Sequence, residues 1–353
     1  MKSKDKKPYL TTKNLTPENQ ESPINFLNKW KTPIKYFYRR NHFPYPLLSP
    51  HHFWLQITGH VSQPRFFHFY ELLSMPTKSL IVPLECSGNK RAHFIPKVYG
   101  EQWEEGALSQ GKWTGVPLKA LLKYVGLTND AQEVVFQGAD FGNRTDLEEK
   151  VSFSRSLPLE KALHPDTMIA FQYNDKPLTF KHGYPFRLIV PNWYAMASVK
   201  WLRKITVINH SFKGPFQTND YMYYPYKNSD KDSFPVTIMN VNSLIQQPLN
   251  LSILDTGAHQ VKGIAWSGQG IITEVQLSFD KGETWLQTTL NQLPNQPYSW
   301  SSWFFDWKVD KKGEYMIYVR AKDSSGNIQP LTPFWNRKGY GYNAVSKIAV
   351  KVE

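Results

Sequence analysis

Apolar residues recur along the chain at two periods, and the pattern changes near residue 230. Short runs of strand type, rich in branched and aromatic side chains, occur at Phe53–Gly59, Ser79–Glu85, Glu133–Gln137, Met168–Phe171, Phe186–Val190 and Ile205–Ile208. Between them one stretch has helical spacing. Leu118, Leu121, Leu122 and Val125 repeat at i, i+3, i+4 and i+7, Pro117 suits a first turn, and Gly126 stands where a terminating glycine belongs. The first half is therefore predicted to mix α and β.

Around Asn228–Pro235 the composition turns polar, and beyond it the helical period disappears. Val275, Leu277 and Phe279 alternate with polar neighbours before the turn Asp280-Lys281-Gly282, and Tyr315–Arg320 alternates before the cluster Asp323–Asn327. Short strands at this spacing predict an immunoglobulin-like β-sandwich, so the fold class is α+β. The expected organisation is a polar basic tail over residues 1–30, a mixed α/β domain over 31–228 and a sandwich over 235–353. A length of 353 residues fits two domains of ordinary size.

Charge and cysteine content narrow the function. The net charge is +13, but residues 1–50 carry about half of the excess, with Lys2, Lys4, Lys6 and Lys7 crowded at the start. No basic stripe interleaves with aromatics elsewhere, so nucleic-acid binding is not expected, whereas a diffuse positive field suits a small anionic substrate. No apolar stretch reaches the ~20 residues that span a bilayer, and neither a signal peptide nor a twin-arginine leader is read, so no membrane insertion and a cytoplasmic location are expected. A single cysteine excludes a disulfide within the chain, a four-cysteine metal site and a C-x-x-C-H haem attachment. That cysteine, Cys86, ends an apolar run and precedes Ser87-Gly88-Asn89-Lys90-Arg91, whose cations would favour the thiolate. Taken alone, such a residue is also an ordinary small core side chain.

The stretch Leu84–Arg91 resembles the cysteine motif of the sulfite oxidase family, whose thiolate binds molybdenum held by a pterin dithiolene. Arg40-Asn41-His42, Gly138-Ala139-Asp140, His182–Arg187 with Ser198–Leu202, Asp220-Tyr221, and Ala265–Gly268 with Val275–Trp285 are similar to further segments of that family, in order over most of the chain. The resemblance implies a molybdopterin-dependent oxidoreductase, a sulfite dehydrogenase without haem that transfers an oxygen atom. Cys86 would be the metal ligand, and His42, Asp140, His182, Arg187 and Lys200 would contact the cofactor. Arg40 and Arg91 would bind the substrate oxyanion, Tyr221 would hydrogen-bond beside the metal, and Trp103 would wall the pocket. It also implies a homodimer and an external electron acceptor such as a cytochrome.

Without the motifs, Arg40 and Arg91 read as surface charges, Tyr221 and Trp103 as packing, and His182 as a turn residue. Two departures stand out. Ile271 follows Ser267-Gly268-Gln269-Gly270 where a third substrate arginine is expected, and Lys90 replaces an arginine. The first leaves open another small oxyanion or a sulfoxide as substrate. A cofactor-free dimeric binding module is the reading from a different class.

Overall fold

A computed structural model of the chain describes residues 9–27, 30–49 and 52–353. The first half is built on two five-stranded sheets. In one, Met168–Tyr173 lies between Leu108–Pro117 and Arg187–Ile189, and Lys78–Glu85 borders Leu108–Pro117 on the other side. In the other, Trp54–Gly59 and Leu202–Ile208 run parallel, while Arg65–His68, Glu133–Gly142 and Val151–Pro158 complete an otherwise antiparallel order. The helix expected from the leucine spacing spans Leu118–Val125, buries Leu118, Leu121, Leu122 and Val125, and ends at Gly126 with φ +67°. A left-handed φ there is why glycine follows the last turn. Among the described residues no helix is long and apolar enough to cross a membrane.

The second half is a β-sandwich. One sheet orders Asn242–Gln247, Gly257–Trp266, Ser301–Val309 and Thr289–Asn291; the other orders Ser252–Leu254, Ser346–Val352, Gly313–Asp323, Ile272–Ser278 and Leu286–Gln287. Val261, Val275, Leu277, Trp303, Ile317, Val319 and Ile348 close its own core. Leu244, Ile264, Trp266 and Trp300 instead join the core of the first half. The α+β class and the sandwich hold.

Composition places residues 1–30 in a solvated tail, and the structure corrects this from Thr11 onward. Thr11–Leu15 and Glu18–Glu21 form an antiparallel hairpin in which Asn19 and Glu21 are buried. The reason is tertiary. Gln20 and Arg39 exchange backbone hydrogen bonds at 2.9 Å each, so polar side chains with no apolar period are fixed by partners far along the chain. Lys2, Lys4, Lys6 and Lys7 lie outside the described residues.

Lys90 bolts the halves together. It is 1% exposed, its φ is +62°, and its Nζ donates at 2.7 Å to Asn242 Oδ1, to the Ser243 carbonyl and to Ser346 Oγ. Three donors on a compact ammonium meet three acceptors, which a planar guanidinium would not match. Replacing Lys90 with Ala strands these buried oxygens, and about 3 kcal/mol of stability is expected to be lost in a denaturant titration. A loss under 1 kcal/mol would show that the contact does not hold the halves together.

Candidate active site

A cleft opens in the first half. Its walls include eight of the residues singled out in the sequence: Arg40, His42, Cys86, Asp140, His182, Arg187, Lys200 and Tyr221. Strand Lys78–Glu85 delivers Cys86 to one wall, where the Asn89 N–H bonds back to its carbonyl at 2.8 Å and closes a tight turn. Burial pushes the Cys86 thiol up, against the pull of Arg40 and Arg91. The expected assistance from Lys90 is absent, because its ammonium turns into the sandwich. No third histidine, cysteine or carboxylate completes a site: among the described residues no such cluster could hold a metal ion unaided.

The lining as a whole is basic. Among the lining residues Arg39, Arg40, Lys181, Arg187 and Lys200 are cationic and only Asp140 is acidic. The Arg187 guanidinium donates to the carbonyls of His182 and Ser198 at 3.1 Å each, while its buried Nε has no partner. Ser87 Oγ, also buried and in the wall, is likewise unpartnered. Lys200 Nζ bonds the Arg40 carbonyl at 3.1 Å and reaches Asn41 Oδ1. Burial raises the Asp140 carboxyl despite Lys200, and burial with the surrounding cations depresses the Lys200 ammonium. The bulge at Gly138 lets Asp140 turn inward, since a Cβ at Gly138 would stand 2.4 Å from Asp140 Oδ1.

Two histidines are held neutral. Burial, reinforced by Arg40, Lys200, Arg144 and Arg155, depresses His42 well below its usual range. The Tyr221 hydroxyl, whose ionisation burial pushes far up, lies 2.8 Å from His42 Nε2, and the tautomer of the imidazole sets which of the two donates. Burial followed by Lys200 and Arg187 lowers His182 to about 3, and its Nδ1 pairs with Thr179 Oγ1 at 2.6 Å. Tyr221 itself sits at φ +52°, a conformation costly for an aromatic residue, and its ring stacks on Tyr340 at 5.3 Å.

Two candidates do not line the cleft. Trp103 is fully buried in the apolar cluster behind Cys86, with Phe37, Tyr38 and Trp113, so it supports the site rather than walling it. Arg91 is held beside the cleft: Nε donates to the carbonyls of Lys338 and Gly339, Nη1 to that of Glu101 at 3.1 Å, and its guanidinium lies 5.1 Å from the Tyr340 ring. Ile271 does not line the cleft either: it is half exposed, and its N–H and carbonyl pair with Ser324. The sandwich reaches the site through Asn336–Gly341 instead, where the Gly341 N–H bonds the Ser87 carbonyl at 2.7 Å and Lys338 Nζ pairs with Asp220 at 3.2 Å.

Sequence reasoning missed that loop, along with Arg39, Lys181 and the buried Arg155 behind Tyr221. Gly339 and Gly341, both at positive φ, were its one local signal.

Comparison with known proteins settles the relationship. Residues 42–216 match the oxidoreductase molybdopterin binding domain, and residues 234–353 the Mo-co oxidoreductase dimerisation domain. Sulfite oxidase of Arabidopsis thaliana is 30% identical over 94% of this chain and 91% of its own length. The chain belongs to the sulfite oxidase family of molybdopterin-dependent oxidoreductases. Mitochondrial sulfite oxidase of Drosophila melanogaster is 33% identical over 95% of this family member, which spans 62% of the insect protein's length. The sulfane dehydrogenase SoxCD from Paracoccus pantotrophus superposes with a TM-score of 0.84 at 26% identity, covering 96% of this chain and 87% of the other. The residues present in this sulfite oxidase family member fit a molybdenum pterin: one thiol, a basic lining, and two orphaned buried polar atoms, Arg187 Nε and Ser87 Oγ, on residues of that lining.

A histidine with a lowered pKa makes the fold acid-labile. Unfolded, His182 ionises near 6.5; folded, near 3, so between these values the unfolded chain holds the extra proton and stability falls as pH drops. From pH 7 to pH 5 this group alone is expected to remove about 2 kcal/mol. Urea midpoints at both pH values should show a smaller acid loss in His182→Gln than in the unaltered protein; equal losses would contradict the assignment.

Proposed function

We propose that the protein oxidises sulfite to sulfate, consuming one water and releasing two electrons and two protons, with the electrons passed to a separate acceptor. One observation carries this: the single thiol of the chain and a guanidinium, Arg40, line the same cleft, in which five cations face one carboxylate. When bound, the molybdenum pterin supplies the two-electron redox change and the oxygen-atom exchange. The Cys86 thiolate would hold the metal, with soft sulfur suited to it. Arg187, Lys200 and His182, with Asp140 and His42, would hold the pterin and its phosphate.

The roles of the remaining residues follow from charge and geometry. Burial would depress Arg40, but Tyr221, Cys86, Tyr340 and Glu101 outweigh it and strengthen the cation. Arg40 and Arg91 would grip the substrate dianion, whose oxygens match paired guanidinium donors. Tyr221, kept protonated, would orient the anion beside the metal, while buried Trp103 supports the Cys86 wall from behind. Another small oxyanion or a sulfoxide is the rival substrate on the ground of Ile271, a residue that does not line the cleft. The dimerisation domain supports a homodimer, whose mass in solution should be twice the 41.0 kDa of the chain.

Anaerobic sulfite added to the molybdenum-loaded protein is expected to bleach its visible thiolate-to-metal absorption. A band that sulfite leaves untouched would overturn sulfite as the substrate. In Cys86→Ser the band and turnover should vanish with the fold intact; more than a few per cent of residual turnover would refute Cys86 as the ligand. Arg40→Ala should raise the KM for sulfite about 10- to 100-fold, the worth of a charge-assisted hydrogen bond. An unchanged KM would remove Arg40 from the substrate site.

A further inference from the structure

We propose that Asn19 is a positioning residue that sets the separation of Arg40 and Arg91. The proposal rests on the assignment of these two arginines to the substrate anion. Asn19 lies in the strand Glu18–Glu21, upstream of the segment that matches the molybdopterin binding domain, and is 1% exposed. Its Oδ1 accepts the Asn41 N–H at 2.8 Å, and its Nδ2 donates to Glu101 Oε1 at 2.9 Å. Asn41 is the residue after Arg40. The Glu101 carbonyl accepts from Arg91 Nη1 at 3.1 Å. A single buried carboxamide thus ties the peptide beside one guanidinium to the residue that carries the other.

The neighbouring contacts do not do this. Gln20 pairs with Arg39, and the Glu18 carbonyl accepts from Asn41 Nδ2 at 2.6 Å, so both hold the Arg40 segment against the hairpin without reaching Arg91. Asn19 alone among these three continues to the Glu101 loop. The link needs one donor and one acceptor on a short side chain, which a carboxamide has and a carboxylate or alkyl group lacks. Two like charges that must close on one small anion repel each other without it, and their spacing has to be imposed by what surrounds them. Gly100 contributes from the other side: at φ +111°, its Cβ would stand 2.8 Å from Arg91 Nη1, so the loop passes directly against that guanidinium.

The test compares Asn19→Ala, Glu101→Ala and the double variant with Arg40→Ala. In Asn19→Ala, the molybdenum content, the visible band and kcat should stay within about twofold of the unaltered protein. The KM for sulfite and the Kd for sulfate, read by calorimetry without turnover, should both rise about tenfold, as for other residues that orient a binding group. Glu101→Ala should produce a similar rise, and the double variant should add little beyond the larger single effect, because both sever one link. Asn19→Asp, which keeps the acceptor but faces Glu101 with a second carboxylate, should weaken sulfate at least as much. If Asn19→Ala fails to fold, Glu101→Ala carries the same test from the loop side. Unchanged KM and sulfate Kd in Asn19→Ala or Glu101→Ala, with both raised in Arg40→Ala, would overturn the positioning role alone. Were Arg40→Ala also to leave both unchanged, the assignment of the arginines would fall, and the positioning role with it.

Discussion

An ammonium shut away from water must find an acceptor for each of its protons, and Lys90 finds all three in the second domain. This requirement fixes more than a domain contact. Lys90 follows Cys86 by four residues, and Glu85, just before it, accepts from Trp266 Nε1 of the sandwich at 2.8 Å and from Asn89 at 3.1 Å. The turn that presents the thiol is therefore clamped on both sides by groups the first domain does not own. A strand end left to itself would fray; here both of its flanks are hydrogen-bonded to buried partners. The left-handed backbone at Lys90 is tolerated because the ammonium's destination leaves no alternative.

The cleft is organised by the opposite problem, too many cations with too little counter-charge. Glu18 answers part of it from the hairpin, pairing with Arg39 at 2.9 Å and with Lys181 at 3.1 Å. Asp140 answers another part opposite Lys200. Arg187 has only carbonyls, and its Nε has nothing. Such a site holds electrostatic free energy that an entering polyanion releases, and it is sharply selective for charge before any shape is read. Keeping His42 and His182 neutral belongs to the same balance, since further protons in this field would be repelled.

Regular spacing made the scaffold legible. Leu118–Val125 declared a helix with a glycine stop, and the alternation around Val275 and Tyr315 declared strands, because burial on one face is written into every second or every third-to-fourth residue. The cleft was legible through chemistry of rare types in fixed order: one cysteine, then histidine, arginine and lysine segments that the fold brings to one cavity. What stayed hidden has a common cause. The burial of Asn19 of the N-terminal hairpin against Glu101, the capture of Lys90 by Asn242 and Ser346, and the approach of Asn336–Gly341 to Arg91 are contacts across large sequence separations between polar groups. Polar partners leave no period in either segment. The glycine-rich turn before Ile271 pairs with Ser324, while a less conspicuous loop occupies the place beside Arg91.

That loop gives the second domain two tenants' obligations in one body. The same sandwich that carries the dimerisation module also supplies the carbonyls around Arg91, the ring under Tyr221 and the peptide that meets Ser87. The loop joins strands Gly313–Asp323 and Ser346–Val352, so a change that shifts either strand reaches the turn that carries the thiol. The sandwich is thus not free to refit itself to a new partner surface without remaking one wall of the cleft, and exchanging it between relatives would transplant both together.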